Sequence, residues 1–347
     1  KQSEDNVIQH TILVTGAAGF IGFHLCEHLL KQGHRVVGLD NINAYYSVDL
    51  KYARLKELGI NSLDAKQFDS AIPSAIYGDK FHFIRLNLQD RDALPKLFKT
   101  YQFDSVCNLA AKAGVRHSIE NPEVYIDSNI SGFLNVLECC RHHKISRLVY
   151  ASSSSVYGNN KTVPYEETAV VDKPISLYAA TKKSNELMAH SYSHLYSIET
   201  IGLRFFTVYG PWGRPDMALS LFTDAIVNNQ PIKVFNNGKL SRDFTYIDDV
   251  IDGVENILLK PSKDKNLYKL YNIGNSQPVQ LLDFIEAIEK SIGKTTERIM
   301  MPIQAGDVNQ TWASVEHLKT DYDYQSSTPL EIGLNAFVDW YKAYYKK

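Results

Sequence analysis

The sequence predicts an α/β protein with a doubly wound parallel sheet and a smaller mixed α/β domain that binds substrate. Six short apolar segments alternate with helical patterns up to about residue 206, which is typical of a parallel sheet with helices on both faces. A glycine-rich turn joins the first of these strands to the first helix. Beyond Gly210 the strict alternation stops, and short strands and helices follow in a turn-rich stretch.

The first strand, residues 11–15, runs into the turn Gly16-Ala17-Ala18-Gly19-Phe20-Ile21-Gly22 and a helix to about residue 32. Glycines in this pattern allow a tight turn, close approach of the backbone to a pyrophosphate and close packing of helix on strand. A plain turn is the alternative interpretation. Asp40, which ends the second strand at residues 35–39, favours the first, because a carboxylate there accepts ribose hydroxyls and repels a 2′-phosphate. We therefore predict NAD rather than NADP as the cofactor.

The segment of residues 41–80 is polar and too long for a simple connection. We predict one helix in it, at residues 50–58, and a final loop that carries Pro73 and Gly78. The later strands of the large sheet are predicted at residues 81–87, 104–109, 147–152 and 200–206, and the helices between them at residues 91–100, 122–143 and 178–196.

Tyr178 and Lys182 are four residues apart at the start of a predicted helix, so they lie on one face. Tyrosine ionises near pH ~10, so its use as a base at neutral pH requires a shift of roughly three units. A cation nearby in a shielded site can supply that shift. The spacing alone is a weak signal, but here it follows a strand that ends in hydroxyls, Ser152 to Ser155. We predict that Lys182, helped by the positive charge of a nicotinamide ring, lowers the pKa of Tyr178 and makes it an acid/base catalyst.

Ligands of such sheets bind outside the carboxyl ends of the strands. The glycine turn, Asp40, Ala110, Ser153 and Tyr178 all fall at such ends, which is the strongest functional argument from pattern alone. The small residues Ala110, Ala111, Ala113 and Gly114 let a cofactor lie against the backbone. Lys112 and Arg116 either face phosphate or an acidic sugar, or they are solvated loop side chains.

Residues 10–206 are predicted to form the cofactor-binding domain, with residues 242–275 returning to it, and residues 207–347 mainly the substrate domain. Its predicted elements lie at residues 218–228, 232–235, 242–246, 249–259, 268–273 and 281–292, with a helix at the C-terminus. Arg214 and Arg242 are its most interesting cations, since guanidinium groups recognise carboxylate and phosphate bidentately.

The composition excludes several classes of protein function. A net charge of −2 gives no electrostatic footprint for nucleic acid or an anionic membrane, and no apolar run approaches the ~18–20 residues that span a bilayer. The four cysteines have neither metal-site nor disulfide-scaffold spacing, and no histidine cluster has metal-ligand spacing, so we expect no metal and a reducing, cytoplasmic setting. Residues 1–9 are expected to be a disordered lead or a trimmed start.

Together, the glycine turn, Asp40, the Ser153 region and the Tyr178/Lys182 pair resemble the extended short-chain dehydrogenase/reductase superfamily, whose core is a Rossmann sheet. Within it, the chain resembles bacterial UDP-glucuronate 4-epimerases from about residue 12 to residue 345. The segments that carry this resemblance are residues 113–116, 152–158, 176–183, 203–218 and 242–249.

The resemblance implies 4-epimerisation of a UDP-sugar through a 4-keto intermediate, with NAD retained through the cycle. It implies that Ser153 bonds the sugar 4-OH, Tyr178 takes its proton and Lys182 holds the nicotinamide ribose. The cofactor residues that it implies are Gly16, Gly19, Phe20, Ile21, Gly22, Asp40, Asn41, Asn87, Leu88, Leu109, Ala110, Ala111, Lys112, Asn129, Tyr178 and Lys182. The substrate residues that it implies are Arg116, Ser153, Ser154, Thr207, Arg214, Phe235, Arg242 and Asp307.

Three alternatives stay open. Lys112 is typical of galactose-type enzymes, so UDP-glucose, UDP-galactose or their N-acetyl forms are possible substrates. Sugar-nucleotide dehydratases and decarboxylases share the fold but place an acid after the fifth strand, where this chain has Ser154 and Ser155. The third alternative is a non-catalytic NAD-binding protein. The resemblance also implies a homodimer through helices near residues 125–143 and 178–197, whose apolar residues are Phe133, Leu134, Val136, Leu137, Leu187 and Met188.

Overall fold

The structure, a computed structural model, describes residues 8–305 and 308–347. Asp307 and the first seven residues of the predicted lead lie outside these ranges. The strands are β1 Thr11–Thr15, β2 Arg35–Asp40, β3 Ile72–Ser74, β4 Gly78–Arg85, β5 Ser105–Asn108, β6 Arg147–Ser153, β7 Glu199–Phe205, β8 Thr207–Tyr209, β9 Ile232–Val234, β10 Ser241–Tyr246, β11 Tyr268–Ile273, β12 Pro278–Gln280, β13 Arg298–Met300 and β14 Gln310–Thr311.

The helices are distributed along the whole chain between these strands. They are α1 Phe20–Lys31, α2 Val48–Glu57, α3 Ser62–Ala65, α4 Ala93–Thr100, α5 Val115–Glu120, α6 Pro122–Tyr125, α7 Gly132–His142, α8 Leu177–Tyr196, α9 Ala218–Val227, α10 Ile247–Leu259, α11 Leu281–Ile292, α12 Glu316–Tyr322 and α13 Leu330–Tyr345.

The large sheet has the strand order β11-β7-β6-β5-β1-β2-β4-β3, and its neighbours are parallel except β3 and β4. Both faces are covered. On the central strand β1, Ile12 and Val14 join the core cluster that also contains residues of α1 and α10, whereas Leu13 joins the cluster with residues of α4 and α7. Because successive side chains of a strand point to opposite faces, this alternation is the signature of a doubly wound sheet, as predicted.

The sheet has eight strands rather than the six expected. One addition is β11, which pairs with β7 at one end, and α10 before it packs on α1. The other is β3, in the region predicted to be a loop with Pro73 and Gly78. Pro73 is tolerated there because β3 is an edge strand, where a missing N–H costs little, and Gly78 begins β4.

The helix predicted at residues 122–143 is broken. The chain instead forms α6, a π-helical turn at Ile126–Ser131 and then α7. Asn129, inside the π-helical turn, accepts a hydrogen bond from the Lys112 backbone N–H at 2.8 Å and donates one to the Lys112 carbonyl at 3.0 Å. The extra residue in the turn brings this side chain onto the strand-end loop, and such turns are frequent at functional sites.

A smaller part of the molecule has its own core. Strand β10 pairs with β8, β12 and β14, and β9 pairs with β13, while α9, α11 and α13 pack beside them. Phe244 and Phe284 stack there with ring centres 3.9 Å apart. The division of the chain at residue 206 stays a prediction.

Candidate active site

A cavity of about 570 Å³ opens at the carboxyl ends of the parallel strands. Its wall includes the glycine turn, Asp40, Ala110, Ser153 and Tyr178, the five features whose convergence the sequence predicted. The predicted site residues that line it are Gly16, Gly19, Phe20, Ile21, Gly22, Asp40, Asn41, Leu88, Leu109, Ala110, Ala111, Lys112, Ser153, Ser154, Tyr178, Lys182, Thr207, Arg214 and Arg242.

Four predicted site residues lie away from the cavity wall: Asn87, Arg116, Asn129 and Phe235. Asn87 is exposed in the turn after β4, which ends at Arg85 rather than at residue 87. Arg116 is exposed on α5. Phe235 is partly buried and packs against the core of the smaller part of the molecule. Asn129 lies behind the cavity wall. Its side-chain amide forms hydrogen bonds with the backbone of Lys112, which lines the cavity.

The glycine turn is shaped for close backbone approach. Gly16 has a φ of +75°, and a Cβ there would lie 2.9 Å from the Ala110 backbone nitrogen. A Cβ on Gly22 would lie 2.0 Å from the Gly16 carbonyl oxygen. Only glycine fits at either position, so α1 can begin directly against the turn and offer its N-terminal N–H groups to a phosphate.

Asp40 is oriented by the chain itself. Its Oδ2 accepts a hydrogen bond from the Ala18 N–H at 3.0 Å, and its Oδ1 accepts one from the Ile42 N–H at 2.8 Å. Each carboxylate oxygen keeps a further lone pair for a ribose hydroxyl. Together with the glycine turn, this geometry fits an adenine dinucleotide that lacks a 2′-phosphate.

Ser153, Tyr178 and Lys182 meet at the strand end. Ser176 caps α8 by accepting a hydrogen bond from the Ala179 N–H at 3.1 Å, which places Tyr178 in the first turn. The Lys182 Nζ lies 5.9 Å from the centre of the Tyr178 ring and donates to the Ala151 carbonyl at 3.1 Å. The Ser153 hydroxyl, the Tyr178 phenol and the Lys182 ammonium group therefore lie around one corner of the cavity. Such a set of groups can transfer a proton to and from an alcohol.

Burial is the largest influence on the pKa values of Tyr178 and Lys182. Burial raises it above its ordinary value, and the hydrogen bond with Ser153 and the charge of Arg214 lower it only in part. Burial also lowers the pKa of Lys182 to about 8. Among the groups of the chain, desolvation thus outweighs the neighbouring charges in this corner, and the predicted lowering, which also counts on the positive charge of the nicotinamide ring, stays a prediction.

A buried ion pair holds this corner together. Arg204 on β7 donates two hydrogen bonds to the Glu186 carboxylate, at 2.9 Å and 2.8 Å. Glu186 lies one helical turn after Lys182 on α8 and also accepts a hydrogen bond from Ser152 Oγ at 2.6 Å. The strand that ends in Ser153 is thus tied to the helix that carries Tyr178 and Lys182.

Three cavity residues, Tyr45, Tyr46 and Lys51, were missed by the sequence analysis. The Lys51 Nζ donates to the Asn43 carbonyl at 2.7 Å and lies 4.9 Å from the centre of the Tyr46 ring. A usable signal was present: two adjacent tyrosines lie in the loop that follows the Asp40 strand end, where ligands bind in such sheets. They were assigned to a polar insertion instead.

The family assignment agrees with this geometry. Residues 12–274 match the NAD dependent epimerase/dehydratase family. The chain belongs to this family. Its members use NAD, so the predicted cofactor and the predicted class of enzyme are confirmed.

Two relatives and one solved structure are similar to this chain over almost its whole length. Protein CapI of Staphylococcus aureus is 52% identical over 97% of this chain and 99% of its own length. A probable UDP-glucuronate 4-epimerase of Rhizobium meliloti is 41% identical over 96% of this chain and 98% of its own length. The crystal structure of the UDP-glucuronic acid 4-epimerase of Bacillus cereus, in complex with UDP-glucuronic acid and NAD, has a TM-score of 0.86 and 36% identity over 96% of this chain and 100% of that one.

Two further observations bear on the expected partners. The described residues contain no helix with the length and apolarity needed to cross a membrane. Two groups could supply ligands to a metal, His28 with Asp252 and Glu255, and Asp264 with His317 and Asp321. Neither group lines the cavity described above, and in each the histidine ring contacts a carboxylate of the same group.

The replacement Lys182→Met should raise stability near neutral pH while it abolishes the ammonium group of the active site. With a folded-state pKa of about 8 and an ordinary value of 10.5, the folded protein binds fewer protons than the unfolded chain between these pH values. The wild-type protein should therefore gain stability as the pH rises through this window, and the buried charge should cost about 3 kcal/mol below it. Urea unfolding at pH 7 and pH 9.5 measures this; equal pH dependence in wild type and variant would contradict it.

Proposed function

We propose that this enzyme interconverts UDP-glucuronate and UDP-galacturonate by NAD-dependent epimerisation at C4 of the sugar. The observation that carries the proposal is the position of Arg214, whose guanidinium lines the same cavity as Ser153, Tyr178 and Lys182. A guanidinium is the preferred protein partner of a carboxylate. The proteins of Rhizobium meliloti and Bacillus cereus that share this fold and length support the same substrate.

In this proposal, a side chain of the protein accepts the proton of the sugar 4-OH and later returns it. Tyr178 accepts the proton of the sugar 4-OH, which Ser153 holds by a hydrogen bond, and Tyr178 returns the proton after the sugar has turned over in the cavity. Lys182, protonated at neutral pH, stabilises the phenolate and holds the ribose. NAD, when bound, supplies the acceptor and donor of the hydride at C4, so that the reaction has no net redox change.

The hydroxyl-only turn after β6 supports epimerisation over the related eliminations. Dehydration or decarboxylation requires further acid/base groups near C5 and C6. Ser154 and Ser155 line the cavity where those enzymes have an acid. A UDP-hexose substrate is the second candidate, and Lys112 in the cavity wall favours it.

The decisive test is incubation of the purified protein with UDP-glucuronate without added NAD, followed by separation of the products. Formation of UDP-galacturonate is the expected result and would also show that the cofactor is retained. Turnover of UDP-glucose or UDP-N-acetylglucosamine, with none of UDP-glucuronate, would leave the Tyr178 mechanism standing and overturn the role given to Arg214.

The replacement Arg214→Met should lower kcat/KM for UDP-glucuronate by about 100-fold. Truncation of one partner of a hydrogen-bonded charge pair typically costs 2–5 kcal/mol, much of it from the charge left unpaired. Binding of UDP, which lacks the sugar carboxylate, is the matched control and should change little. An equal loss of affinity for both ligands would indicate damage to the loop rather than loss of the carboxylate contact.

The remaining expectations stay proposals. We infer a homodimer in the cytoplasm, with residues 10–206 and 242–275 binding the cofactor and residues 207–347 mainly the substrate. The face of α8 that supports a dimer carries Leu187 and Leu195, which are 59% and 63% exposed. Phe133, Val136 and Leu137 are buried in the core of the chain itself, so they are not available to a partner. Sedimentation equilibrium measures the oligomeric state.

A further inference from the structure

Arg214 already has a carboxylate partner inside the protein. Its Nε and Nη2 donate to the two oxygens of Asp216, at 3.0 Å and 2.7 Å. Burial raises the pKa of Asp216, but the hydrogen bond and the charge of Arg214 outweigh it and hold the pKa below its usual range, so the acid is ionised. Tyr45 also donates to Asp216 Oδ2, at 3.2 Å. One edge of the guanidinium is therefore filled before any substrate arrives.

The other edge of Arg214 is open. Its Nη1 has no hydrogen-bond partner within residues 8–305 and 308–347, and the side chain lines the cavity. A second carboxylate can therefore reach the guanidinium only by sharing it with Asp216 or by displacing Asp216. In both cases the two carboxylates repel one another across a few ångströms in a partly shielded site.

The backbone around Arg214 is fixed independently of Asp216. His24 donates from Nε2 to the Pro211 carbonyl at 2.7 Å, and Arg54 donates from Nη2 to the Trp212 carbonyl at 2.6 Å. Burial lowers the pKa of His24 to about 4, so the ring is neutral. Ser220 Oγ donates to the Arg214 carbonyl at 2.7 Å. Removal of the Asp216 charge should therefore change the electrostatics of Arg214 without moving its loop.

We propose that Asp216 is a specificity-determining residue that competes with the carboxylate of the substrate for the guanidinium of Arg214. The inference rests on the proposed function, because it takes an acidic sugar as the ligand. Asp216 lowers the affinity for that sugar and keeps Arg214 paired whenever the sugar carboxylate moves away.

Competition between Asp216 and the substrate carboxylate would help the 4-keto sugar to turn over in the proposed reaction. The 4-keto sugar must turn over within the cavity between the two hydride transfers, and a sugar held rigidly through its carboxylate cannot turn. Release of that carboxylate would leave a desolvated guanidinium unpaired, which is costly unless another acid is in place. Asp216 is that acid, so it is expected to speed the turn at the expense of tight binding.

The test is the replacement Asp216→Asn, which keeps the shape of the side chain and removes its charge. Calorimetry on the NAD-bound protein should give a Kd for UDP-glucuronate about tenfold lower than in wild type, about 1.4 kcal/mol, and an unchanged Kd for UDP-glucose. Steady-state kinetics should give a lower KM together with a lower kcat. Asp339→Asn, at an exposed position on α13, is the matched charge control and should leave all four values unchanged.

Two results would overturn the proposal. Weaker binding of UDP-glucuronate by the Asp216→Asn variant would mean that Asp216 orients Arg214 rather than competes for it. An equal change for UDP-glucuronate and UDP-glucose would mean a structural role. Because the binding measurements need no turnover, they test this inference even if the wild-type enzyme fails to epimerise UDP-glucuronate, and that failure would count against the proposed function alone.

Discussion

The variant Tyr178→Phe is expected to lose kcat by about 10²–10⁴-fold, the range that a positioned acid/base group contributes. Phenylalanine keeps the ring in the first turn of α8 and removes only the hydroxyl that lines the cavity beside Ser153. No other phenol of the described cavity wall lies on the same helix face as Lys182, so the proton of the sugar alcohol should have no substitute acceptor. Product formation from UDP-glucuronate under saturating substrate measures the loss.

Binding separates this chemical effect from misfolding. The Kd for UDP-glucuronate and the amount of NAD that copurifies should both stay within a few-fold of wild type, since neither depends on the phenol alone. A variant that keeps more than a tenth of the wild-type kcat would contradict the role given to Tyr178. A variant that loses NAD as well would show that the ring is needed for the fold of the site.

The variant Glu186→Leu is expected to lower the free energy of unfolding by about 3–5 kcal/mol, the cost of leaving one partner of a buried ion pair uncompensated. Arg204 is only 1% exposed and would lose both of its hydrogen bonds to the carboxylate. Ser152 would lose its acceptor too, so the strand end beside Ser153 should loosen and kcat should fall together with stability. Urea unfolding and steady-state kinetics on the same preparation measure both effects.

Two controls accompany this variant. The double variant Glu186→Leu/Arg204→Met removes both charges and should recover much of the lost stability, because apolar replacement of a whole buried pair is often neutral. Lys183→Met removes the outer cation, whose Nζ lies 3.9 Å from the Glu186 carboxylate and which is 25% exposed, and should cost less than about 1 kcal/mol. A loss as large for Lys183→Met as for Glu186→Leu would contradict the importance of the Arg204 pair.

Errors in the sequence analysis share one physical origin. The sheet has more strands than the six expected because local propensity does not report which strands pair: β3 pairs with its neighbour β4, and β11, predicted as a strand in the range that returns to the cofactor-binding domain, pairs with β7. The break at Ile126–Ser131 arises because Asn129 bonds the backbone of Lys112, and a helical pattern contains no trace of that contact. Strand β4 ends at Arg85, two residues before its predicted end.

Local spacing and the steric needs of the backbone are enough to predict the strand–turn–helix with Gly16 and Gly22, the acid at residue 40 and the Tyr178/Lys182 pair. The tertiary structure alone decided the electrostatics of the site. Burial raises the pKa of Tyr178 against the charges that lower it, and Arg214 is already paired with Asp216. Desolvation and the competition between partners depend on everything that packs around a group, which is why neither could be read from the order of residues.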